Sequence, residues 1–150
     1  MYVSNVMQKL FRLMAILAMG LAAFSCSFKA DRDEPYVQFA DRFAHALAEG
    51  RFEDANSMLT DDQRPMLTAA ELQKAYKQML EYTGKKFDSH DTITTIEPIT
   101  SMTDWPDKRI GDVGWVYVAM SGDGFSEAVT VVVARSRNDL GIRSIEWGRP

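Results

Sequence analysis

After Gly84 the apolar pattern of this chain changes from a helical to an alternating period, and that change restricts the fold more than any other feature. Ahead of it, Tyr36, Phe39, Ala40, Phe43, Ala46 and Leu47 recur at i, i+3, i+4, i+7, i+10 and i+11, one continuous helical stripe. Pro35 suits the first helical position, and Gly50 suits the C′ position that ends the helix. Phe52, Ala55, Met58 and Leu59 predict a short second helix. Thr60-x-x-Gln63 and Thr68-x-x-Glu71 have the spacing of capping boxes. The second opens a third helix with Leu72, Ala75, Tyr76, Met79 and Leu80 inward, stopped by Gly84. Beyond Gly84 the chain reads as a Thr/Ile-rich strand region at 87–96, a polar loop at 101–111, and strands at 113–120, 125–135 and 140–147. Helices followed by strands predict an α+β domain, helices packed on a mostly antiparallel sheet.

The two long strands flank Ser121-Gly122-Asp123-Gly124, a hairpin signal. With Met120 opposite Phe125, even positions of one strand share a face with odd positions of the other. Val116, Val118, Met120, Phe125, Val129, Val131 and Val133 form an aliphatic face that should meet the helices. Val113, Trp115, Tyr117, Ala119, Ser126, Ala128, Thr130 and Val132 form the opposite face, too apolar to be fully wetted. Either it is an association surface centred on Trp115, Tyr117 and Thr130, or a loop or the first strand covers it.

The first 25 residues hold no Asp or Glu, and only Lys9 and Arg12 carry charge. Leu13 to Phe24 is apolar but too short to span ~30 Å of hydrocarbon, which needs about 20 residues. Residues 1–25 therefore read as a cleaved export signal, with Met7 offering a more compact start than Met1. The run Ala23-Phe24-Ser25-Cys26 resembles a bacterial lipoprotein signal, which implies that Cys26 is acylated and becomes the mature N-terminus. It departs from that pattern at Ala23, where Leu is usual, and at the bulky Phe24. Ordinary cleavage after Ser25 is the alternative, since Ala23-x-Ser25 also meets the small-x-small rule. The absence of Asp after Cys26 points, by the same resemblance, to the outer membrane facing the periplasm. Residues 26–35, charged and aperiodic, read as the lipidated Cys and a tether reaching at most ~30 Å.

The segment after the signal carries all 21 acidic residues against 15 basic ones, a net charge of −6. No Lys/Arg run of the kind nucleic-acid binding requires is visible. Its length suits one domain, residues 36–150. With Cys26 acylated, packing alone must hold the fold, because the chain has no other cysteine.

The carriers FADRFAHALAEGRFEDA, TAAELQKAYKQML and GWVYVAM…FSEAVTVVVA, ending in IRSIEW, resemble the nuclear transport factor 2-like superfamily. These are cone-shaped α+β domains that include ketosteroid isomerase and scytalone dehydratase. The resemblance spans about residues 35–147, and is one of spacing. It implies a curved sheet and helices around a cavity, in which the enzymes of the family place Asp, His or Tyr. Here the candidate pocket residues are Tyr76, Met79 and Glu127. Glu127, the one charge on the aliphatic face of its strand, could act as a general base in an apolar pocket. Against that, its closeness to Gly124 favours a place in water at the hairpin mouth. Tyr76 on the apolar stripe fits a core tyrosine as well as a cavity hydroxyl.

Asp41, His45 and Glu49 form one helical row that could hold a metal, but it lies opposite the apolar stripe, where a solvated face is expected. His90 stands beside Asp91 without a nucleophile motif, and the P-loop, Rossmann, paired-Cys and HExxH patterns are absent. Trp105, beside Pro106 and Arg109 in a polar loop, is either an anchor for a partner or a cover over the sheet edge. These features predict a lipid-anchored, non-catalytic binding or assembly domain of the bacterial envelope, with no cofactor and no metal. A protein partner or homodimer is expected, no nucleic acid, and a small-molecule ligand in the cavity is possible. The alternatives are an immunity-type protein that neutralises a secreted toxin, and an isomerase or hydratase that uses the cavity.

Overall fold

The structure, a computed structural model, describes residues 29–81, 93–122, 125–137 and 139–149. The expectations for the export signal, Cys26, Gly84, residues 87–92 and His90 lie outside the described residues. The order is α1 (Pro35–Ala48), α2 (Phe52–Ser57), α3 (Ala69–Glu81), β1 (Ile93–Met102), β2 (Asp112–Gly122), β3 (Phe125–Ser136) and β4 (Asp139–Trp147). The four strands form one antiparallel sheet in the order β1-β2-β3-β4, and the fold is α+β.

Every residue of the predicted α1 stripe is buried, and Val37 and Ala44 join it, so the helix is covered over a wide arc. Pro35 stands in its first turn. Gly50 adopts φ +71°, its N–H donating to the Leu47 carbonyl while the Arg51 N–H donates to that of Ala46 (2.8 Å), the two bonds of a Schellman end. A side chain at this φ would be strained, which is why glycine occupies the position.

The two capping boxes have different fates. Thr68 and Glu71 form theirs: the Thr68 N–H donates to Glu71 Oε2 (2.8 Å) and the Glu71 N–H to Thr68 Oγ1 (3.4 Å). Thr60 caps no α-helix, for residues 61–66 are turns. Its N–H donates instead to the Ile142 carbonyl (2.9 Å), where Leu59 makes a parallel bridge to β4. A tertiary backbone bond has taken the donor that a local cap would have satisfied.

The hairpin register corrects the expected one. Met120 pairs with Glu127 and Gly122 with Phe125, leaving Asp123-Gly124, a favoured two-residue pair, between the paired ends. A slip of two residues preserves which residues share a face. Val116, Val118, Met120, Val129, Val131 and Val133 therefore all lie fully buried against the helices, as expected, while the side chain of Phe125, the seventh residue of that face, lies outside the description. Val113 does not join the opposite face. A register shift between Asp112 and Gly114 breaks the alternation, and Val113 packs against the core.

The first strand, described from Ile93 to Met102, continues past the end expected at 96 and takes residues 101 and 102 from the expected loop. Pro98 stands inside this strand, although proline cannot donate to a ladder. The sheet accommodates Pro98 because β1 is an edge strand, irregular in register between Pro98 and Thr100. The expected tether also ends sooner. Lys29 bridges Thr100, the Ala30 N–H donates to the Ile99 carbonyl (3.1 Å), and Ala30 is buried.

Candidate functional site

Two regions gather the residues singled out from the sequence. The first is a cavity of about 520 Å³ between α3 and the far end of the sheet, lined by Ala75, Gln78, Met79, Glu127, Trp147, Gly148 and Arg149. The α3 stripe that buries Leu72 and Tyr76 also turns Ala75 and Met79 toward β3 and β4. The Val129–Trp147 pairing sets the indole diagonally beside Glu127 on the same face of the sheet. Glu127 is only 6% exposed, which corrects the expectation of a carboxyl in open water at the hairpin mouth. Its position opposite Met120 holds it on the helix-facing side of the sheet. Gln78 and Arg149 on the rim are exposed, so the cavity opens to solvent.

Two of the three expected pocket residues, Met79 and Glu127, line this cavity, while Tyr76 is buried without lining it. Its ring centroid is 6.0 Å from that of Phe52, tilted by 58°. The hydroxyl is buried without a hydrogen-bond partner among the described residues, and burial pushes the phenol well above its ordinary pKa. Ala75, Gln78, Trp147, Gly148 and Arg149 are lining residues that sequence reasoning missed, and Trp147, expected only as the end of the last strand, is the largest of them. Its place at the end of β4, across a turn from Val131 and Val133, carried no cavity signal.

The second region is the face of the sheet away from the helices. Met102 pairs with Trp115, Trp115 with Val132, and Tyr117 with Thr130, so these side chains share that face. Trp115, Tyr117 and Met102 are half-buried, and no described helix covers them. Ala128, Thr130 and Val132 are buried there, small groups beside the rings directly opposite or adjacent. Thr130 thus forms the floor of this face, whereas it was expected as part of its contact surface. Trp105 stands apart in the 103–111 loop, half-buried, with the Lys108 ammonium 5.7 Å from its ring centroid.

At the end of the sheet near that loop lies an ion pair the sequence did not announce. Arg143 Nε and Nη2 donate to the two carboxylate oxygens of Asp112 at 2.6 and 2.8 Å, and the Arg109 N–H adds a third bond at 2.8 Å. The Asp112 side chain is fully buried and that of Arg143 only 17% exposed. Burial pushes the Asp112 carboxyl up, but the hydrogen bonds from Arg143 and the Arg109 amide, with the charges of both arginines, outweigh it and hold it below the usual range.

The Asp41–His45–Glu49 row lies on the exposed side of α1, with both carboxylates 3.9 Å from the imidazole. Among the described residues no cluster has the make-up of a metal site. No described helix is long and apolar enough to cross a membrane. The fold and site thus define a class, an α+β domain with three helices on one face of a four-stranded meander and a solvent-open cavity at one end. Comparison with protein-family models, curated proteins and solved structures finds no significant match for this chain.

Proposed function

We propose that this chain is a lipid-anchored binding domain of the bacterial cell envelope, of the nuclear transport factor 2-like type, that works by association and not by catalysis. The observation that carries the reading is the face bearing Trp115, Tyr117 and Met102, which no described helix covers. Half-buried aromatics over a floor of small side chains are the arrangement a partner or second copy can cover, recovering ~25 cal/mol per Å² of apolar surface. Helices ahead of an antiparallel sheet, with a cavity between α3 and the sheet, support the cone-like type. The Cys26 junction supports the anchor.

Sedimentation of the mature domain tests the association. The expected result is a concentration-dependent assembly, or a complex with a crosslinked envelope protein, that Trp115→Glu weakens at nearly unchanged thermal stability. A wild-type monomer without a partner, together with unfolding of Trp115→Glu, would show that the face is covered core and refute the reading.

Glu127 favours a second reading, in which the cavity takes a small molecule. A carboxyl buried beside an indole and a thioether gives a ligand one polar point of attachment and an apolar wall. Ligand-observed NMR with a library of small amines and alcohols would detect this, with binding lost in Glu127→Ala. An isomerase or hydratase acting here would also need turnover that disappears in Glu127→Gln.

A further inference from the structure

We propose that residues 103–111, the loop between β1 and β2, form the membrane-contacting tip of this domain, seated on the lipid surface beside the anchor. The proposal rests on the lipid-anchored reading above. Its first support is the short leash. Only Phe28 and Ser27 separate Lys29 from Cys26, and three residue steps span at most about 11 Å. Because Lys29 is fixed to Thr100 by a bridge, the acylated residue lies close to the β1 edge.

The second support is direction. The Lys29–Thr100 bridge is antiparallel and Ala30 bonds Ile99, so the chain enters the edge from the Met102 end of β1. That is the end at which the 103–111 loop begins. The hairpin, Glu127 and the cavity lie at the other end of an 11-residue strand, roughly 30 Å away. An anchor at Cys26 therefore presents the loop to the bilayer and the cavity mouth to the periplasm.

The third is the chemistry of the loop. Ile110 is fully exposed, so its aliphatic side chain is free to enter an apolar layer that the loop meets. Trp105 is only half-buried, and an indole prefers the headgroup level of a bilayer. Lys108 and Arg109 have long stems that let the charged end stay in the polar layer. Asp104 and Asp107 balance those two charges, so the contact is driven by Ile110 and Trp105 and does not require anionic lipid. Asp112, at the base of the loop, is already neutralised by Arg143.

The test uses the full chain, processed in a diderm bacterium and reconstituted into phosphatidylethanolamine–phosphatidylglycerol vesicles. Acylation occupies the Cys26 thiol, the only one in the chain, so Ile110→Cys and Ser126→Cys each supply a single site for a nitroxide. At position 110 the label should be several-fold more accessible to oxygen than to a water-soluble nickel chelate, and at position 126 the order should reverse. Equal exposure of both labels to the chelate, in protein whose intact mass shows the diacylglyceryl group, overturns the membrane contact while leaving the anchor standing. Dipolar broadening between labels at position 110 would assign the tip to a second copy of the chain and also overturn it. An intact mass without lipid overturns the anchored reading itself, and this orientation with it.

Discussion

A Cβ placed on Gly114 would lie 2.0 Å from Cδ2 of Tyr36, so the backbone of β2 and the first ring of α1 meet where no side chain fits. Tyr36 is held there by its hydroxyl, 3.4 Å from Ser101 Oγ on the neighbouring strand. Gly114→Ala should displace the ring and cost about 1–3 kcal/mol in urea denaturation, the usual range for overpacking. An unchanged midpoint would mean the ring swings aside freely. Removing Arg143 should do more harm, because a buried carboxylate then loses its partner. Arg143→Ala is expected to cost roughly 3–5 kcal/mol. Asp112 is held below the ordinary carboxyl range, so the stability it contributes is fully present above about pH 4 and is lost as pH falls through its lower native value. The wild type should therefore lose stability in acid in a way that Arg143→Ala does not reproduce. Tyr76→Phe should instead be neutral or stabilising by up to about 1 kcal/mol, since it deletes a buried hydroxyl without a partner. At this scale little was legible beforehand. A glycine inside a strand hints at a close approach, but neither Tyr36 nor the Asp112–Arg143 pair follows from spacing, because both join distant segments.

Elements were the legible scale wherever period and punctuation agreed. α1 combines a buried stripe with Pro35 at its start and Gly50 at its end, and both bounds follow local rules. Its central residue, Phe43, is fully buried, and Phe43→Ala should cost ~3–5 kcal/mol, with Val131→Ala costing less. Calorimetry would show α1 to be peripheral if the loss were under ~1 kcal/mol. Glu71 is held below its ordinary pKa first by the Thr68 N–H and then by the Thr68 hydroxyl, so this cap is complete at neutral pH and weakens in acid. Thr60 carries the same local pattern and makes no cap, because the carbonyl of Ile142 is in reach of its N–H. At β1 the far bound was missed: the strand runs on through Pro98 to Met102, into residues that read as loop, because its pairing with β2 and not local pattern sets that end. The hairpin faces were deducible even though the register slipped by two, because a slip of two leaves inside and outside unchanged.

For the whole molecule, the succession of helices and then strands carried the α+β architecture, while the candidate sites were only half visible. The aromatic pair of β2 could be assigned to the outer face, but the burial of Glu127 depends on how α3 lies across the strand ends, which no periodicity encodes. Both margins of the sheet are also occupied. Lys29 is seated on β1 at Thr100, and Leu59 on β4 at Ile142, where the Ile142 N–H donates to the Met58 carbonyl (2.8 Å). Pro98 further blunts the first margin. At these positions no foreign strand can be zipped onto the sheet through its backbone. Each margin is thereby interrupted against the ladder-by-ladder stacking that threatens exposed β-edges, and a partner meeting the sheet there has side chains and not main chain to grip.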